Sequence, residues 1–206
     1  MKYIALFALL VAQSARAQIH ITGLGAYRLD TTTPDSLLPA RFTEQSVYVK
    51  GTIALSCTHV RVFRADSVNS RGMAMTHLTL FFYDNRLFKL ACDYTDAVAQ
   101  VVRSSYGNGT PVPKSRRVLC EKETGKPLVL WGEVWPSQDV RALVIHADGY
   151  GANCAQQKTV QLIITSQAIS ALSSDCDLAP TDPFGEVFDR MLDGSTPGRE
   201  QPGQKH

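Results

Sequence analysis

The stretch Thr76-His77-Leu78-Thr79-Leu80-Phe81-Phe82-Tyr83-Asp84-Asn85-Arg86-Leu87-Phe88-Lys89-Leu90-Ala91-Cys92 decides the fold. Leu78, Leu80 and Phe82 alternate with Thr79, Phe81 and Tyr83, which is the two-residue period of a strand. Asp84-Asn85 supplies a turn, because short polar side chains tolerate the left-handed backbone region. Leu87 to Cys92 returns as the partner, so the segment predicts a hairpin. A helix over 95–106 follows. Asp93 or Thr95 can cap it, and the added acid suits its positive N-terminus. Val98, Val101, Val102 and Tyr106 fall at helical spacing, and Gly107 stands where a left-handed residue ends a helix. A helix with one apolar stripe must lie on a sheet.

Working outward, Val47, Val49, Ile53 and Leu55 predict a strand, with a bulge at Gly51. Val60 and Val62 predict another, and 66–72 reads as a polar loop. Residues 18–45 form an irregular opening segment with a helical turn after Pro34. Downstream, a proline-rich loop (Pro111-Val112-Pro113) precedes short strands at 116–122, 127–135, 140–147 and 159–165. The separators Glu123-Thr124-Gly125, Pro136-Ser137-Gln138-Asp139 and Asp148-Gly149-Tyr150-Gly151 are too short for helical crossovers, so neighbouring strands are antiparallel. The expected fold is α+β, an antiparallel sheet of about seven strands with one packed helix (95–106). A β-barrel is the alternative. One α+β domain is expected over 18–178, with a partly disordered tail over 179–206. That tail holds four of the ten prolines and an amphipathic turn or two at 184–192.

The N-terminus carries Lys2, then an apolar run from Ile4 to Ala12, then Ser14-Ala15-Arg16-Ala17. A positive start, a short apolar core and an Ala-x-Ala ending describe a secretory signal peptide over residues 1–17, cleaved near Ala17. The run is about half of what a bilayer span needs, and nothing later is long and apolar enough, so no transmembrane segment is expected in the mature chain. Secretion or residence in a periplasm follows. Loss of Lys2 and Arg16 takes the 21 basic residues to 19, equal to the 19 acidic ones. A neutral chain has no field that attracts polyanions, so nucleic acid is not an expected partner. Lys114-Ser115-Arg116-Arg117 reads as a solvated basic loop.

Five cysteines (Cys57, Cys92, Cys120, Cys154 and Cys176) lie beyond the leader. An oxidising compartment makes disulfides the default, and an odd count leaves one thiol over. The wide spacing contains no Cys-x-x-Cys. The preferred pairs are Cys57–Cys92 and Cys120–Cys154, whose members stand at or near ends of predicted strands.

Signatures of chemistry are missing. There is no His-Glu-x-x-His, Gly-x-Ser-x-Gly or Walker loop, and no Gly-x-Gly here extends to a dinucleotide fingerprint. No cofactor and no metal is expected. His146 and Asp148, with Cys92 or Cys154, are the conceivable catalytic set. The Gln18-Ile19-His20 terminus has the nitrogen donors of a copper(II) or nickel(II) chelate, but a three-residue pattern is a weak signal. Asn108-Gly109-Thr110 fits an N-glycosylation acceptor in a surface loop.

The segment 127–135 is apolar on both faces. Leu128, Leu130 and Val134 share one; Val129, Trp131, Glu133 and Trp135 share the other. One helix covers one face, so Trp131, Glu133 and Trp135, with Phe81 and Tyr83 on the hairpin, are candidate binding residues on an open aromatic strip. The expected function is that of an exported, non-catalytic binding or interaction module. Its partner is a protein or small ligand, or a second copy of the chain. A small secreted hydrolase with a dispersed active site is the alternative.

Overall fold

The computed structural model describes residues 20–120, 122, 125–151 and 153–184. The leader over 1–17, the Gln18-Ile19 terminus and the tail beyond Phe184 lie outside these residues.

An eight-stranded antiparallel sheet dominates the chain, beside a two-stranded one. The small sheet pairs β1 (Gly23–Leu24) with β2 (Tyr27–Arg28). The large sheet is built from β3 (Thr43–Gln45), β4 (Val60–Ser70), β5 (Met73–Tyr83), β6 (Arg86–Asp93), β7 (Thr110–Arg117), β8 (Leu128–Ser137), β9 (Val140–Tyr150) and β10 (Gln156–Ser166). Helix α1 spans Asp96–Tyr106 and a short α2 spans Gln167–Leu172. The strand order is β3-β4-β5-β6-β10-β9-β8-β7. The two end strands do not pair, so the sheet is open and the barrel alternative falls away.

Topology explains the position of α1. The meander β7 to β10 runs from one edge back to β6, where Leu162 stands opposite Cys92. Successive antiparallel pairings leave β6 and β7 parallel, with three strands between them. Helix α1 joins them and crosses the intervening face. The Thr95 hydroxyl accepts from the Val98 N–H, and Gly107 (φ 71°) ends the helix, as the sequence indicates. Val98, Val102 and Tyr106 are buried.

Each face of the sheet carries a packed core. On the first, Leu80, Phe82, Leu90, Trp135, Val144 and Leu162 pack with α1 and with Ile21, Leu24, Leu29 and Leu37 of the N-terminal segment. On the second, Phe81, Phe88, Leu130, Ile145 and Ile163 pack with Val47, Cys57, Cys176 and Phe184.

Several elements differ from expectation: β1, β2 and β3 lie in the segment expected to be irregular, and α2 stands where no helix was expected. The chain over 46–57 is not a strand; it makes turns and isolated bridges, Tyr48 with Ser56 and Val49 with Cys176. Residues 66–70 are not a loop, because β4 runs on to Ser70. Pro111 and Pro113 sit in edge strand β7, the place where a missing N–H is tolerated. The strand expected over 116–122 is the end of β7, which stops at Arg117.

Cys120–Cys154 is a disulfide, as expected. The other preferred pair is corrected: Cys57 bonds Cys176, and Cys92 is a free, buried thiol. Cys92 faces the first core and Cys57 the second, so the sheet itself lies between them.

Candidate functional site

One row of side chains crosses the first face beyond α1, where cover is incomplete. Trp131 of β8 stands directly opposite His146 of β9. Their rings stack with centroids 4.9 Å apart and planes 13° apart. Cross-strand neighbours on one face are close enough for such pairing. On the other side of the indole, the Lys114 ammonium lies 4.9 Å from the ring centroid. An irregularity in β7 between Val112 and Ser115 brings Lys114 there, so the basic loop of the sequence is a cation–π partner on a bulged edge strand. Val160, opposite His146 on β10, extends the row, and the Tyr94 N–H donates to the Val160 carbonyl. Trp131 and His146 are both half-buried.

Charges of both signs border the row. Glu133, two residues along β8, faces Arg103 of α1 at 3.7 Å. The Tyr94 hydroxyl oxygen is buried near both without a well-formed hydrogen bond among the described residues, and burial raises its pKa. Burial lowers the pKa of His146, against the smaller opposing pull of Glu133. A depressed pKa keeps the imidazole neutral near pH 7, able to donate at one nitrogen and accept at the other.

The other residues named from sequence lie elsewhere. Trp135 is 1% exposed. Its Nε1 donates to the Gly107 carbonyl at 3.1 Å, and its ring lies where a Cβ on Gly109 would be 2.8 Å away. Phe81 is fully buried and packs on Phe88 in the second core. Tyr83 stacks on His59 at 6.0 Å and borders the second core, away from Trp131. The open strip therefore keeps Trp131 and Glu133 and gains Lys114, His146, Arg103 and Tyr94. The stacking of His146 was legible only through its register with Trp131.

Among the described residues no Cys–His–Asp set assembles around His146. Cys154 is in a disulfide. Cys92 is 1% exposed, and burial, reinforced by the Asp93 charge, pushes its thiol pKa up to about 12. A thiol held there supplies no thiolate near neutral pH. Among the described residues no hydrogen bond joins His146 to Asp148. A different imidazole–carboxylate pair is formed: His77 Nδ1 lies 2.7 Å from Asp93 Oδ2, which also accepts from the Thr76 hydroxyl at 2.7 Å. Among the described residues, Cys57, Asp175 and Cys176 are grouped closely enough for a metal, but the two sulfurs are bonded to each other.

No family model, no curated protein and no solved structure matches the chain.

Proposed function

We propose that the chain is an exported binding protein without a catalytic role, and that its partner or ligand docks on the row Lys114, Trp131 and His146, with Glu133 and Arg103 as a charged rim. The observation that carries this is the half-buried Trp131–His146 stack, flanked by the Lys114 ammonium, on a stretch of the sheet that α1 does not cover. An aromatic anchor ringed by ionisable groups is the composition of energetically dominant interface residues. The buried Tyr94 hydroxyl beside it, near Arg103 and Glu133, adds a polar group to that rim. Two disulfides support an oxidising compartment, and no helix among the described residues is long and apolar enough to cross a membrane.

Native mass spectrometry of the chain recovered from outside the cytosol tests the reading. Added mass, or a bound partner, is expected with the unaltered chain and lost in Trp131→Ala and His146→Gln. Equal occupancy in all three would remove the strip from consideration, and so would a bare chain in every sample.

The secreted-hydrolase reading has one observation in its favour. Asp93 orients His77, whose backbone is left-handed (φ 48°) within a strand. Strain of this kind concentrates at functional sites. Hydrolysis of a p-nitrophenyl ester by the unaltered chain, abolished in His77→Ala, is the result that reading needs.

A further inference from the structure

We propose a second site, separate from the Trp131 row: a pocket for a small organic anion between the N-terminal hairpin, the β4–β5 turn and α1. The cavity measures about 190 Å³. Its polar lining includes Arg28, Ser70, Arg71 and Ser105, and no carboxylate lines it. Leu24, Met73 and Val101 supply an apolar wall.

The lining is rich in donors. Arg28 gives one N–H to the Thr22 hydroxyl at 2.5 Å. Neither Arg28 nor Arg71 has an acidic partner among the described residues. Ser70 is 5% exposed. Its oxygen accepts from the Ala26 N–H at 2.8 Å, while its own proton has no acceptor among the described residues. Arg28 is half-buried and Arg71 exposed, so both have donors free to turn to a ligand with the undirected Ser70 hydroxyl, and a carboxylate matches the planar guanidinium fork. Two full charges outweigh the roughly half charge at the negative end of α1.

Local backbone builds this arrangement. Gly25 has φ 60°, and a Cβ there would meet the Ser70 oxygen at 2.7 Å. Glycine therefore lets the hairpin close over that hydroxyl. The Tyr106 hydroxyl donates to the Gly23 carbonyl at 2.5 Å and ties the hairpin to α1. Arg71 occupies a left-handed position (φ 53°) in the turn between β4 and β5. Asn, Asp or Gly is the usual occupant of such a position, so Arg71 holds it against backbone preference. The cavity admits an acid with a few carbons, its carboxylate on the arginines and its chain on Leu24, Met73 and Val101.

Titration of the full chain with hexanoate, followed by amide NMR shifts, tests the proposal. Hexanol and inorganic phosphate serve as neutral and purely polar comparisons. Saturable hexanoate binding is expected, with shifts at Gly25 and Ser70. Affinity should fall at least tenfold in Arg28→Gln and in Arg71→Asn, a change that keeps a residue at ease in the left-handed region. Arg86→Gln, an exposed arginine on β6, should bind as the unaltered chain does. Melting curves confirm that each variant folds. The proposal is overturned by absent hexanoate saturation or by unchanged affinity in the two pocket variants. Hexanol or phosphate binding as tightly as hexanoate would overturn it equally.

Discussion

Trp131 and Trp135 stand four residues apart on one face of β8, and the chain treats them differently. The end of α1 and Gly109 close over Trp135; nothing of the described chain closes over the whole of Trp131. Alternation shows that the two share a face, but it carries no information about where along the strand cover ends. That is why Trp131, Trp135 and Phe81 look alike in sequence. Trp135→Ala is expected to cost about 3–5 kcal/mol as a buried aromatic deletion, and Trp131→Ala about 1 kcal/mol or less. Denaturant midpoints with equal slopes would check both. His146 contributes a pH signature. Its pKa is lower folded than unfolded, so the unfolded chain takes up the proton first. Its stability contribution is intact above the ordinary histidine value, about 6.5, and falls as pH drops below it. Removing the imidazole in His146→Gln should flatten that part of the curve between pH 7 and 5; an unchanged slope would contradict the assignment.

Among the elements, the hairpin and α1 were legible because each reports a single period and carries its own turn or cap. Thr95→Ala should cost about 1 kcal/mol through the lost cap, read from a thermal melt, whereas Ser104→Ala on the exposed side should change little. The extension of β4 was hidden by a slip in alternation. Ala65 and Val68 face the same core three residues apart, and so do Met75 and Leu78 on β5. The register pairs Ala65 with Leu78 and Ser67 with Thr76, and His77 takes its left-handed conformation at the slip. A period-two pattern broken in the middle reads as a loop. Strand β7 was hidden for another reason. Prolines argue against a central strand, yet an edge strand tolerates them.

Across the whole molecule, the strand order and one disulfide were beyond local reading. The β6–β10 pairing and the Cys57–Cys176 bond both join distant segments, the latter over a separation of 119 residues. Five cysteines allow several pairings, and local sequence does not show that the sheet lies between Cys57 and Cys92. In the chain-entropy view, Cys57–Cys176 contributes about 5 kcal/mol, and Cys120–Cys154, with a separation of 34, about 4 kcal/mol. Alkylation should find no reactive thiol in the native protein and one, at Cys92, after unfolding without reductant. Labelling of Cys57 or Cys176 in that experiment would refute the connectivity.

Trp131 and Trp135 share a face of β8, yet the first is half-buried and the second 1% exposed. Acrylamide quenching of two single-tryptophan variants reads this directly. Trp135→Phe, which leaves Trp131, should be quenched readily, and Trp131→Phe, which leaves Trp135, should be nearly protected. Equal quenching of the two, or protection of Trp131, would contradict it.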